Sequence, residues 1–288
     1  MLPIGLCAQI AGSWEATARK PGNVHRYRDF ADLTYVDLLL SAAAVGPVLE
    51  QACQRRVGQT ILEAVEATRR VVSTNTNLGI LLLLAPLAAV PPGEELRSGL
   101  ACVLDGLDVE DARDVYRAIR LAAAGGLGEV PNQDVLQEPT MTLREVMTLA
   151  ADRDLIALQY VNGFHEVFTC GVPVLRASLR GAGVLETSII ECHLRLMALR
   201  PDSLIARKRG RAEAEEASRK AQQVLVQGWP RSEAGRVGLQ AFDAWLCSEG
   251  HSRNPGTTAD LVTACLFVLL RNDELEPPNG LYRSSALI

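Results

Sequence analysis

Four polar stretches carry more reactive side chains than a plain loop requires. The first is Lys20-Pro21-Gly22-Asn23-Val24-His25-Arg26-Tyr27-Arg28-Asp29, with Glu15 and Arg19 just ahead of it. Basic groups and a flexible Pro-Gly turn suit a polyphosphate, although a solvated basic loop has the same composition. The second is Ser73-Thr74-Asn75-Thr76-Asn77-Leu78-Gly79, five helix-capping residue types in a row where one cap needs only one. The surplus can face an anion at a helix start. The third, Asp202-Ser203 through Arg207-Lys208-Arg209-Gly210, sets a carboxylate before a basic run, the usual form of a surface charge run. The fourth is Asn254-Pro255-Gly256-Thr257-Thr258-Ala259-Asp260-Leu261. Thr257 and Asp260 match a capping box, with Asp in place of the longer Glu. The apolar run after them implies a buried helix, and a carboxylate at a buried helix start needs a cation beside it.

Helices are expected to hold these stretches. Val57, Ile61, Ala64, Val65, Thr68, Val71 and Val72 fall on one helical stripe, and Leu185, Ile189, Cys192, Leu196 and Leu199 on another. Segments 38–45, 109–124, 212–226, 233–246 and 261–270 also read as helices. Strand signals are poor: aromatic residues make up 5% of the chain, and only the short run Val167 to Val174 tempts a strand assignment. The expected fold is all-α, a single compact multi-helix bundle over residues 1–276 with a loose tail at 277–288. The active site would lie at helix termini and connecting loops.

The 288 residues are 48% hydrophobic and 22% charged, enough to bury a core without metals or disulfides. A net charge of -5 argues against a nucleic-acid binder. Seven scattered cysteines form no CxxC pair and read as reduced thiols. The start of the chain lacks signal-peptide features, and Pro86 breaks an apolar run too short to cross a bilayer, so a cytoplasmic protein away from membranes is expected. Phosphate-loop, dinucleotide-fold and nucleophile-elbow motifs are absent.

The four stretches, in this order, resemble the triphosphoribosyl-dephospho-CoA synthase family. That family carries a Glu upstream of Lys-Pro-Gly-x-Val, an Asn-Thr-x-x-Gly helix start, an Asp-Ser/Thr segment ending in basic residues and Gly, and Asn-Pro-Gly-x-x-Ala-Asp-Leu. The matches run from near residue 15 to near residue 265. There are departures. Typical members have His-Lys at Asn77-Leu78 and often Gly-Ser at Thr257-Thr258. Their Lys-Pro-Gly turn continues Leu-Val-Asp, where this chain has Asn23-Val24-His25. Their Gly-Gly-x-Arg-Gly-Glu segment is only partly echoed at Gly125 to Glu129.

The resemblance implies an all-helical enzyme using ATP, with Mg2+. It moves the triphosphoribosyl group to a hydroxyl of dephospho-CoA and releases adenine. Its product is the precursor of a prosthetic group on acyl carrier subunits of citrate and malonate lyases and decarboxylases. Such chemistry builds positive charge on the sugar, and needs a proton for the leaving base and a base for the incoming hydroxyl. Asp29, Asp202 and Asp260 are accordingly assigned to Mg2+ or to acid–base work, and Glu15 to the general base. Lys20, Arg26, Arg28, Arg207 and Lys208 would clamp phosphates, while Asn75, Asn77 and Asn254 would orient donor or metal. Gly22, Asn23, His25, Thr76, Gly79, Ser203, Gly256, Thr257 and Thr258 complete the expected nucleotide contacts.

Other readings stand beside this one: a phosphoribosyl or nucleotide-dependent transfer to a different acceptor, or a helical nucleotide binder without catalysis. The sequence is compatible with a homodimer. His165 and Glu166, adjacent in sequence, would point apart on a helix. His193 reads as a core residue, while His251 suits either the cleft or a polar loop. Trp14, Trp229 and Trp245 read as packing residues.

Overall fold

A computed structural model describes residues 2–122, 135–182 and 184–275. The glycine-rich stretch 125–129 and the tail 277–288 lie outside the described residues. Among those described, the chain is helical, and its one isolated bridge joins His25 and Arg28. The helices are α1 (Ile4–Thr17), α2 (Tyr35–Leu49), α3 (Val57–Arg69), α4 (Leu78–Ala89) and α5 (Leu96–Asp105). Then come α6 (Val109–Ala122), α7 (Leu143–Ala150), α8 (Leu155–Asn162), α9 (Val172–Ala182) and α10 (Leu185–Leu199). The last are α11 (Ser203–Arg209), α12 (Arg211–Val226), α13 (Glu233–Cys247) and α14 (Gly256–Arg271).

The segment that tempts a strand assignment is instead a π-helical turn, Val167–Gly171, leading into α9. Gly171 there lies against Cys265 of α14 with no room for a Cβ. Close packing of helix on helix overrides the β-branched composition of this run.

The centre of the fold is α14, of whose 16 residues 13 are buried, and α4, apolar almost throughout. A helix apolar on every face is stable only when surrounded, and α1, α4, α8, α9 and α10 pack around α14. Truncating one of its buried leucines to alanine would cost ~2–5 kcal/mol. Helix α10 serves two hydrophobic clusters. Leu185, Ile189, Cys192 and Leu196 face the main core, whereas Ile190, Leu194 and Met197 join residues of α11, α12 and α13 in a second one.

α4 and α14 run parallel. Gly79, in the first turn of α4, meets Asp260 in the second turn of α14. At the other end, the buried Arg271 donates to the Leu87 and Val90 carbonyl oxygens where α4 finishes. That guanidinium satisfies carbonyls that a helix end leaves without partners. Both positive helix termini therefore point the same way.

Candidate functional site

The parallel helix starts open into a cleft of about 1400 Å3. Its walls include Glu15 from α1, Asn23, the stretch 73–80, and Asp154 ahead of α8. They also include Ser203, Arg207 and Lys208 of α11, and Asn254, Gly256, Thr257 and Asp260 at the start of α14. Residues of all four polar stretches thus share one cavity. Five helices of eight residues or more, α4, α7, α8, α12 and α14, begin on its wall. Neither Asn77 at α4 nor Pro255 at α14 caps its helix with a side chain.

The first stretch is more structural than its composition implies. Lys20 is 1% exposed, and its Nζ lies 2.9 Å from Glu15 Oε1. It also donates to the Glu15 carbonyl oxygen and, at 3.2 Å, to that of Ala18. The ammonium has three donors, and all are used. Lys20 therefore holds Glu15 in place, and the expected phosphate clamp is corrected. Glu15 is 5% exposed and still reaches the cleft wall.

Further corrections follow from the same turn. Arg26 donates to Glu186 at 2.9 Å, and Arg28 makes two hydrogen bonds to Asp243, at 2.7 and 2.5 Å. Neither lines the cleft. The Gly22 N–H also goes to Asp243, at 2.8 Å, and so is not offered to a ligand. Gly22 has φ +74°, and a Cβ there would collide with Leu246. His25 is buried, off the cleft wall, and its Nδ1 accepts from the Tyr27 N–H. Burial, followed by Arg28 and Lys20, pushes its pKa down from 6.5 to about 4. Asp29 is exposed, accepts from the Tyr35 N–H at 2.7 Å and stands apart from Asp202 and Asp260, off the cleft wall.

The second stretch braces α4. Asn75 accepts from the Leu78 N–H at 3.2 Å, Thr76 meets Ser41 of α2 at 2.6 Å, and Asn77 donates to Thr68 of α3 at 3.0 Å. These bonds orient the start of α4 toward the cavity.

Asp202 is a double cap. Oδ1 accepts from the N–H groups of Leu204 and Ile205 in α11, and Oδ2 from the N–H and hydroxyl of Thr258 in α14. Burial raises its pKa against these bonds. With four donors on two oxygens and a 1% exposed side chain, Asp202 and Thr258 fix the α11–α14 junction rather than bind a metal or nucleotide directly. The expected capping box of Thr257 and Asp260 does not form. Thr257 instead accepts from the Ser203 hydroxyl at 3.0 Å, and Ser203 in turn accepts from the Leu155 N–H at 3.2 Å. One hydroxyl chain thereby joins α8, α11 and α14.

Asp260 faces the cleft against Gly79. Burial, then the carboxylates of Glu15, Asp202 and Asp154, push its pKa well above 3.8, with Arg207 opposing. Such surroundings keep a carboxyl protonated. Asp154, which the motifs do not mark, caps α8 and lies 3.9 Å from Arg207. Beside it the wall gains Arg69, Arg153, Arg200 and Arg211. At the rim His251 stacks on Phe30, ring centroids 5.1 Å apart, and its Nε2 is 3.4 Å from Asp32.

Asn254 Nδ2 donates to Asn23 Oδ1 at 3.3 Å. This leaves Asn23 Nδ2 and Asn254 Oδ1 as a buried donor and a buried acceptor without partners. His193 is buried on α10 as expected, with neither ring nitrogen hydrogen-bonded.

The family model for ATP:dephospho-CoA triphosphoribosyl transferase matches residues 1–279. The chain belongs to this transferase family. A relative from Pseudomonas putida, named probable 2-(5''-triphosphoribosyl)-3'-dephosphocoenzyme-A synthase, is 28% identical over 256 residues, covering 86% of this chain and 87% of its own. One of the same name from Pseudomonas syringae pv. tomato is 32% identical over 128 residues, 44% of this chain and 42% of its own. Across the relatives from Pseudomonas syringae and Pseudomonas savastanoi, the match spans 42–58% of their length. A crystal structure from Archaeoglobus fulgidus, provisionally described as a triphosphoribosyl-dephospho-CoA synthase, superposes with TM-score 0.61 at 26% identity. It covers 81% of this chain and 97% of the archaeal one. The transferase family and the all-α fold expected from the motifs are thereby established.

Among the described residues no three His, Cys, Asp or Glu side chains are grouped to hold a metal ion. Mg2+ needs only one or two carboxylates beside substrate phosphates, and Asp154, on the wall near Asp260, fits such an ion when it arrives with a nucleotide. No described helix is long and apolar enough to cross a membrane.

Proposed function

We propose that the protein transfers the triphosphoribosyl group of ATP to a hydroxyl of dephospho-CoA and releases adenine. The observation that carries this is the pair of carboxyl groups Glu15 and Asp260, set on different helices in one cleft with the starts of α4, α8 and α14. Oriented helix dipoles and Arg207 and Lys208 suit the triphosphate. The unpartnered Asn23 donor and Asn254 acceptor suit the edge of adenine, which offers an amino donor beside a ring-nitrogen acceptor.

Asp260, protonated by its surroundings, donates its proton to adenine as the bond from ribose C1 to N9 breaks and its electron pair leaves with the base. Glu15, held in place by Lys20, takes the proton of the acceptor hydroxyl as that oxygen bonds to C1. A proton must then return from Glu15 to Asp260 through solvent before the next cycle. Each proton transfer of this kind contributes roughly 10²–10⁴-fold. Mg2+ held by phosphate oxygens, with Asp154 as a wall carboxylate outside the proton transfers, would neutralise charge on the triphosphate.

The test is incubation with ATP, Mg2+ and dephospho-CoA, followed by mass analysis. Adenine and a triphosphoribosylated acceptor are expected, with release falling by about 10²-fold or more in Asp260→Asn and Glu15→Gln. ADP or pyrophosphate as the nucleotide product, with no adenine, would overturn the reading.

A further inference from the structure

The cleft is chemically two-sided. Every residue that α6 and α7 contribute to its wall is uncharged, and only Tyr116 among them has a polar side-chain atom. Ile80 of α4, Ile119 of α6, Val146 of α7 and Leu158 of α8 are all half-buried and face the same space. Four large apolar side chains from four helices, left partly uncovered inside one cavity, mark an apolar subsite. The charged groups instead come from α1, α3, α11, α12, α14 and the loops before α2, α8 and α11. The cavity, about 1400 Å3, also exceeds the ~300–1000 Å3 typical of one small-molecule ligand, so it has room for two.

We propose that the α6–α7 wall binds the pantetheine arm of the acceptor, an inference that rests on the transferase reading above. A triphosphate gains nothing from an uncharged wall and loses its hydration there. Of the two substrates, only a dephospho-CoA-type acceptor carries a long uncharged segment, with methylene and methyl groups to cover Ile119, Val146 and Leu158. The donor then lies along the helix starts, the acceptor arm along α6 and α7, and the reacting ribose carbons meet at Glu15 and Asp260. This wall would set acceptor choice without touching the reacting atoms.

The test compares dephospho-CoA with ADP, which keeps the adenosine diphosphate and lacks the arm. Calorimetry on the full chain should show dephospho-CoA binding at least about tenfold tighter than ADP, since each buried methylene adds ~0.8 kcal/mol. Val146→Asp should erase that ratio, raise KM for dephospho-CoA by about tenfold and leave KM for ATP within about twofold. Where Val146→Asp does not fold, as judged by circular dichroism, Val146→Thr keeps the shape and should shift the ratio in the same direction by a few-fold. A wild-type ratio near one, or a ratio that neither variant changes, overturns the arm site even if adenine is released. Failure to release adenine with a high ratio intact would count against the transferase reading alone.

Discussion

Asp260 Oδ2 occupies the space into which a Cβ on Gly79 would project. The carboxyl that opens α14 is seated on the backbone that opens α4, and only glycine permits the approach. Gly79→Ala should therefore displace Asp260 with little harm to the fold, because alanine favours a helix by about 1 kcal/mol over glycine. A misplacement near 1 Å costs roughly 10²-fold in rate. We expect adenine release to fall by about that factor at an unchanged or raised melting temperature. In an Asp260→Asn background the same change should cost far less, since both act on one group.

Asp260 also sets a pH signature. Its folded pKa lies well above the 3.8 of the free side chain, through burial and the carboxylates around it. The unfolded chain gives up this proton first, so Asp260 erodes stability as pH rises from 3.8 toward the folded value. Asp260→Asn should thus raise the melting temperature more at pH 8 than at pH 5. Wild-type activity should decline as pH climbs through the folded pKa, and the variant should lack that limb. Thermal melts and rate profiles across pH check both.

The Lys20–Glu15 pair predicts a large and partly reversible loss. Removing one partner of a buried ion pair leaves the other charge without compensation, at ~3–5 kcal/mol. Lys20→Met should lower unfolding free energy by that amount in urea titrations. Adding Glu15→Gln should recover part of it while abolishing turnover. Equal instability of the single and double variants would mean that Lys20 acts through packing alone.

His25 makes the protein acid-sensitive. Its folded pKa of about 4 sits below the unfolded 6.5, so the unfolded state binds a proton first as pH falls. Stability from this residue is intact above 6.5 and drains away between 6.5 and about 4. The loss approaches ~3 kcal/mol at 1.36 kcal/mol per unit. His25→Gln should flatten the slope of stability against pH over that window in denaturant titrations.

Apolar stripes locate α3 and α10, although Val71 and Val72 lie past the end of α3 at Arg69, and the segments read as helices at 212–226, 233–246 and 261–270 fall within α12, α13 and α14. α1 was not legible, because it packs on α2 through Gly5 and Gly12 and buries Ala8 and Ala11, and small residues leave no strong stripe. The short helices α7, α8 and α11 give a periodic pattern too few residues to register. At the site, the motifs marked which segments meet but not what each side chain does there. Lys20, Arg26 and Arg28 look like anion ligands until Glu15, Glu186 and Asp243 are seen to claim them. Those acids are remote from the basic turn in sequence or, like Glu15, point into it from a helix. Asp154 and the arginines of the far wall have no motif and surface only when the chain closes on itself.

Arg271 gives the paired central helices a rivet. With its guanidinium fastened to the last carbonyls of α4, that helix and α14 have no freedom to slide lengthwise past each other. The contact fixes the axial register of the two helices at this end, and with it the level of Asp260 against Gly79 at the other.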